Sequence, residues 1–263
     1  MNVDLRRHWP EYLMEAAELA IFMFVACGAA VLIFDPESRV AQLIPNPVVQ
    51  RLLMGLAMGG TAIAIIYSPW GKRSGAHFNP TVTLTYYRLG KIDAWDAVLY
   101  VVFQFAGGIA GVGAAGAVFG NSLASPEVDY IVTVPGSGGT VVAFAGEFTI
   151  SFLLFAAVLY TTNSRLAGFT GWIVGALVAL YVLVEAPLSG MSMNPARTTG
   201  SACFADVWTD WWIYFTAPPL AMLAAAELYL RIHGSHRVRC CKLHHDAHDR
   251  CTFCGYQATQ TYC

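Results

Sequence analysis

The chain has 263 residues, of which 56% are hydrophobic and 12% charged, and its net charge is −2. A water-soluble domain carries about a quarter charged residues, so this composition excludes one. The apolar residues instead come in blocks long enough to cross a bilayer, roughly 20 residues each. The net charge sums over two sides of a membrane and says nothing about partners.

In chain order, residues 1–11 read as a short N-terminal segment. A first span follows at 13–34, opening with "AELAIFMF" around Glu18. A cleavable signal peptide is not expected, because this block begins after Glu11, Glu15 and Glu18 and runs on into a second span at 51–67. Next comes "SGAHFNPT", Ser74 to Thr81, then an apolar stretch at 81–89 that is too short to span. The third span, 95–119, contains "AGGIAGVGAAGAVFG". In a membrane bundle such small residues let helices approach closely. A loop at 121–140 carries Glu127 and Asp129 but no Lys or Arg. The fourth span, 141–161, opens with "GEFTISFLLF" around Glu147, and the fifth covers 166–186. "SGMSMNPA", Ser189 to Ala196, then repeats the earlier phrase, again before a short apolar stretch, 196–204. The sixth span is 211–232, and a tail closes the chain at 233–263. Cys27 and Cys203 lie in apolar segments and read as core residues.

Arg6, Arg7, Lys72, Arg73, Arg88, Lys91, Arg165 and the tail basics fall on one side of this topology. Only Arg39 and Arg51 fall in loops on the other. That bias puts both termini in the cytoplasm. Three spans per half make the halves, about 12–120 and 140–232, an inverted repeat. Asn is a good N-cap and Pro suits the first helical position. Asn79-Pro80 and Asn194-Pro195 therefore each start a short helix, entering from opposite faces and meeting near the midplane with positive dipole ends together. Non-helical backbone at that depth is tolerated only where it is buried or lines a wet cavity. The backbone before each helix, Gly75, Ala76 and His77 in one half and Gly190, Met191 and Ser192 in the other, is expected to be extended and to turn carbonyls toward the lumen. Glu18 and Glu147 lie early in the first span of each half. Two roles are open for them: buried acceptors for loop amides, or proton carriers.

With these residues assembled, the chain resembles the aquaporin family, the major intrinsic proteins. Asn79-Pro80-Thr81 and Asn194-Pro195-Ala196-Arg197 carry the resemblance, and Glu18, Glu147 and Gln104 also fit; it covers residues 12–232. It implies an all-α membrane fold of six transmembrane helices plus two re-entrant half-helices. It also implies one pore per subunit, a homotetramer in the plasma (inner) membrane, and passive permeation of water or small uncharged solutes with ions and protons excluded. No enzyme activity, required cofactor or nucleic-acid partner is implied; the partners are solutes and the lipid bilayer. Thr81 stands where the family usually has Ala. Counting without gaps from the motifs places the family's outer constriction at Gly59, Val182, Met191 and Arg197. Gly59 also reads as a helix-packing glycine in "MGGT". Water-selective members resemble one another in an aromatic and a His at the first two of these positions. Their absence implies a wider, more apolar mouth, similar to relatives that pass glycerol, urea or undissociated metalloid hydroxides such as arsenous acid. Thr198 and Ala202 depart from the pattern of glycerol facilitators, and Tyr214 and Phe215 keep that of plain aquaporins. A water-selective channel and a proton-coupled transporter using Glu18 and Glu147 are the alternatives.

The tail reads "CCKLHHDAHDRCTFCGY". His244 and His248 with Cys251 and Cys254 offer H-x3-H and C-x2-C spacings that suit a tetrahedral zinc site or a trivalent metalloid, with Cys240 and Cys241 as alternative ligands. A flexible basic tail is the competing reading. Disulfides are not expected in a reducing cytosol. His77, beside the first motif, is expected to use its backbone carbonyl and pack its ring aside rather than bind metal.

Overall fold

The computed structural model describes residues 5–245 and 250–257, with side chains from residue 7 onward. Among the described residues it is helical throughout. Helix α1 (Leu5–Phe34) is followed by the short α2 (Arg39–Leu43), α3 (Pro47–Tyr67), the short α4 (Pro69–Ser74), the half-helix α5 (Pro80–Arg88) and α6 (Ala94–Phe119). The second half repeats the series as α7 (Gly139–Thr162), α8 (Thr170–Val184), the short α9 (Ala186–Ser189), the half-helix α10 (Pro195–Ala205) and α11 (Trp212–His233). Six of these helices are long and apolar enough to cross a membrane. Their observed ends extend the expected spans at 13–34 and 51–67 toward the N-terminus; in α3 the Asn46 cap and Pro47 set the earlier start.

The packing is that of an inverted repeat. Helix α1 lies along α6 as α7 lies along α11, and each half-helix crosses the last span of the other half, α5 on α11 and α10 on α6. Helices α3 and α8 form the central pair and run antiparallel. Gly55 faces Ala179 and Gly59 faces Gly175, so residue numbers rise on one helix as they fall on the other. The glycine-rich run of α6 is a packing surface. A Cβ on Gly107 would stand 2.1 Å from the Ala16 carbonyl oxygen, and one on Gly111 2.4 Å from that of Ala20. Apolar side chains such as Ile21, Leu56, Val102, Leu153 and Leu180 are exposed on the outside of the bundle. The interior is largely apolar as well, but it also holds buried Glu, Asn, Ser and Thr, which in lipid belong inside the bundle. Cys27 is buried as expected, whereas Cys203 is exposed on α10; α10 buries its opposite face against α6.

Candidate functional site

Two hairpins of backbone carry the site. Gly75 ends α4 at φ 111° and Gly190 ends α9 at φ 79°, left-handed conformations that favour glycine. The chain beyond is not the extended strand expected from sequence. Ala76 and Phe78 (φ 55° and 31°) and their counterparts Met191 and Met193 (φ 52° and 55°) alternate back into the left-handed region. Each such non-glycine residue costs on the order of 1–3 kcal/mol and persists only where its surroundings over-determine it.

Those surroundings are duplicated. Ser189 Oγ donates to Glu147 at 2.8 Å, and the Ser192 and Met193 amides donate to the same carboxylate at 2.6 and 2.7 Å. In the first half two carboxylates share that work. Ser74 Oγ donates to Glu18 at 2.9 Å, while the His77 and Phe78 amides donate to Glu15 at 2.9 and 2.6 Å. The loop-amide acceptor expected at Glu18 is therefore Glu15, one helical turn earlier on the same face. Gln104 completes this site by donating to Glu15 at 2.7 Å. Tyr100 and Tyr214 brace the hairpins, donating to the Ser74 and Ser189 carbonyls at 2.7 and 2.5 Å. Sequence reasoning assigned neither phenol a bracing role. The available signal was a repeated spacing, 26 residues from Ser74 to Tyr100 and 25 from Ser189 to Tyr214.

The two motifs interlock where the half-helices begin. Asn79 Oδ1 caps α5 through the Thr81 amide, and Asn194 Oδ1 caps α10 through the Ala196 and Arg197 amides. Each side-chain amide then donates across the repeat, Asn79 to the Met193 carbonyl and Asn194 to that of Phe78, both at 2.8 Å. An Asn amide has two N–H bonds, so each keeps one beyond this cross-link.

Both asparagines border a cavity of about 470 Å³ that runs from Leu243 of the tail to Glu127 and Ile131 of the loop before α7. His77, Gly190, Met191, Ser192, Val182 and Arg197 also line it. Gly75, Ala76, Pro80, Thr81, Pro195 and Ala196 are not among its lining residues. Pro80, Thr81, Pro195 and Ala196 are buried between helices instead. The Gly75 carbonyl accepts the Leu243 amide at 3.0 Å. Gly59 is the clearest correction. A Cβ there would stand 2.3 Å from the Gly175 carbonyl oxygen, so it is a helix-packing glycine, and the cavity face of α3 is Arg51, Met54, Met58 and Ala62. The antiparallel register with α8 puts Arg51 beside Leu183, whose carbonyl its Nε reaches at 3.2 Å. Met54 and Met58, one turn apart, are the apolar α3 side chains on that cavity face. Arg197 is positioned by a 2.8 Å bond from Nη1 to the Ile131 carbonyl.

A family model described as major intrinsic protein matches residues 4–229. The chain belongs to that family. Among its relatives, Aquaporin NIP3-1 of Zea mays is 40% identical over 176 residues, 66% of this chain and 57% of the relative. Aquaporin NIP6-1 of Arabidopsis thaliana is 34% identical over 204 residues, 77% and 65% of the two lengths. The matched region thus spans about three-fifths of these curated relatives. The X-ray structure of the aquaglyceroporin from Plasmodium falciparum superposes with a TM-score of 0.68 at 18% identity, covering 83% of this chain and 94% of the other. That likeness establishes the fold: this major intrinsic protein is a multi-pass membrane protein of six spans and two half-helices.

The tail folds back on the bundle rather than trailing from it. Arg239 N donates to Asn163 Oδ1 at 2.7 Å, and Lys242 Nζ to the Lys72 carbonyl at 2.9 Å. The His77 ring stacks on Tyr86 with centroids 5.1 Å apart, and its Nε2 donates to the Cys241 carbonyl at 2.8 Å. Cys251 and Cys254, expected as ligands, meet Cys240 and Cys241, with all four Sγ atoms within 4.8 Å of one another. The expected ligand His244 is not part of the cluster; its ring lies edge-on to Tyr67 with centroids 4.8 Å apart. His248 lies outside the described residues. Hydrogen bonds among the four thiols pull Cys251 and Cys254 toward the thiolate form and push Cys240 and Cys241 away from it.

Proposed function

We propose that this major intrinsic protein is a passive, bidirectional channel for water and small uncharged solutes, and that its mouth admits glycerol, urea or undissociated metalloid hydroxides. The reciprocal Asn79 and Asn194 cross-link carries the reading. It holds two helix N-termini at one point of a continuous cavity, where their positive ends and the Arg197 guanidinium oppose cations. The remaining N–H of each asparagine offers a donor to a passing hydroxyl. Met54, Met58, Val182 and Met191 line the same cavity as Arg197 with small or flexible apolar side chains, suited to a solute with an apolar side. Relatives named aquaporins and a structural neighbour titled an aquaglyceroporin support a channel. The same reading places both termini in the cytoplasm, the protein in the plasma (inner) membrane and the assembly as a homotetramer. Glu15, Glu18 and Glu147 act as structural acceptors in it, not as proton carriers.

Stopped-flow swelling of proteoliposomes under separate glycerol, urea and arsenous acid gradients tests the substrate range. Swelling faster than empty liposomes for at least one of these solutes is expected. Water flux with none of them would show a water-selective channel and overturn the wide-mouth reading.

A further inference from the structure

The tail places four thiols at a single point. Cys240, Cys241 and Cys251 are buried and Cys254 is half-buried. The Cys254–Cys240 and Cys241–Cys251 sulfur separations are 3.6 and 3.8 Å. Four thiolates about 2.3 Å from a zinc ion form a tetrahedron whose edges are about 3.8 Å, so these sulfurs already stand near ligand positions. The chain around them is shaped for it. Cys251 N donates to the Tyr256 carbonyl at 2.8 Å, and Gly255 N donates back to the Cys251 carbonyl at 3.0 Å. Gly255, at φ 68°, turns the chain sharply just after Cys254. A divalent cation with four thiolates carries a net charge of 2 − 4 = −2, and Arg239, Lys242 and Arg250 are interleaved with the ligands in sequence. Imidazoles are not needed to complete the shell.

The cluster is also tied to the pore. Between the two ligand pairs, the Cys241 carbonyl takes the His77 N–H, the Leu243 amide binds the Gly75 carbonyl, and Lys242 binds the Lys72 carbonyl. All three partners belong to α4 or the hairpin leading to the first half-helix. Leu243 itself lines the cavity that contains Asn79 and Asn194. An ion holding Cys240 and Cys241 to Cys251 and Cys254 anchors the segment next to Leu243 and so seats Leu243 at the cavity's tail-side end.

We propose that Cys240, Cys241, Cys251 and Cys254 form a tetrathiolate site for a zinc-class divalent cation, and that the bound ion holds the tail as a stopper in the tail-side mouth of the pore. The regulatory half rests on the channel reading above; the metal half does not. A trivalent arsenic or antimony species shares the thiol chemistry but takes three thiols, so it would leave one sulfur out of the shell and bind with different geometry.

The test uses the full-length protein in detergent and in proteoliposomes. One zinc per chain is expected by mass spectrometry after dialysis. Cobalt in its place should give thiolate-to-metal charge-transfer absorption and the visible bands of a tetrahedral ion. Cys251→Ser with Cys254→Ser should lose both signals, whereas Cys27→Ser with Cys203→Ser should keep them. Water and glycerol flux should rise several-fold when zinc is chelated, fall again on zinc addition, and be high and zinc-insensitive in the Cys251→Ser, Cys254→Ser variant. Leu243→Ala should raise flux while zinc content stays at one per chain, a readout that survives if the serine variants fold poorly. Absence of stoichiometric zinc at micromolar concentration overturns the site, as does arsenite binding through three thiols with no zinc or cobalt uptake. Stoichiometric zinc with flux unchanged by chelation and by Leu243→Ala overturns the stopper. A protein that binds zinc but conducts nothing in any arm contradicts the channel reading, and with it the stopper, and leaves the metal site standing.

Discussion

Gly59→Ala separates the two readings of that residue. If Gly59 lined the pore, one methyl there would narrow the mouth and leave the fold alone. The structure predicts the reverse. The added Cβ would stand 2.3 Å from the Gly175 carbonyl oxygen, where ordinary contact begins near 3.4 Å, so α3 and α8 must part by about 1 Å. Dispersion falls by a quarter to a half over gaps of about 0.5–1 Å, and overpacking of this kind costs roughly 1–3 kcal/mol. Helix propensity opposes it, since Ala is favoured over Gly by about 1 kcal/mol. The obstacle is backbone and cannot swing aside, so packing outweighs propensity and the net loss is up to about 2 kcal/mol. At roughly 2–4 °C per kcal/mol that is a fall of up to about 8 °C in Tm. Gly60→Ala is the control. A Cβ on Gly60 meets nothing within 4 Å, so only the propensity gain remains and Tm should hold or rise. Thermal unfolding in detergent, followed by tryptophan fluorescence, measures both. Equal Tm values for the two variants would refute the packing argument.

Three further outcomes follow from the same geometry. Glu15→Ala strands the His77 and Phe78 amides, at about 1–3 kcal/mol for each buried donor left unpaired, whereas Glu18→Ala strands only the Ser74 hydroxyl; thermal unfolding should show the larger loss for Glu15. Met54→Phe with Val182→His should suppress glycerol swelling and spare water swelling in stopped-flow measurements. Arg197→Val removes a half-buried guanidinium from the mouth and releases the Ile131 carbonyl, and should admit monovalent cations, measured as conductance in planar bilayers.

What could be read from sequence was local chemistry. Asn-Pro starts a helix by capping and by the fixed φ of proline, so two such pairs in an inverted repeat already located α5 and α10. Glycines in α6 identified themselves as packing residues because small side chains serve one purpose between membrane helices. The misreadings arose where a count had to stand in for a register. Gly59 lies between the cavity-lining Met58 and Ala62 but turns toward Gly175 of α8, and the turn of α4 intervenes before the motif, so a gap-free count landed on the wrong face of α3. Glu15 and Glu18 lie on one face a turn apart, and only the reach of each carboxylate to the His77 amide distinguishes them. The tail was legible in composition but not in pairing. H-x3-H spacing favoured His244 and His248, while a chain reversal that no local signal specifies brought Cys240 and Cys241 to Cys251 and Cys254 instead.

The most direct test of the central claim is osmotic shrinkage of wild-type proteoliposomes, followed by light scattering with and without an imposed pH gradient. The account predicts water flux well above that of empty liposomes, proportional to the osmotic gradient, indifferent to the pH gradient and accompanied by no proton entry. Flux that requires or follows the proton gradient would make Glu15, Glu18 and Glu147 carriers rather than struts. Flux no faster than lipid alone, with the tail removed and zinc chelated, would contradict the pore itself.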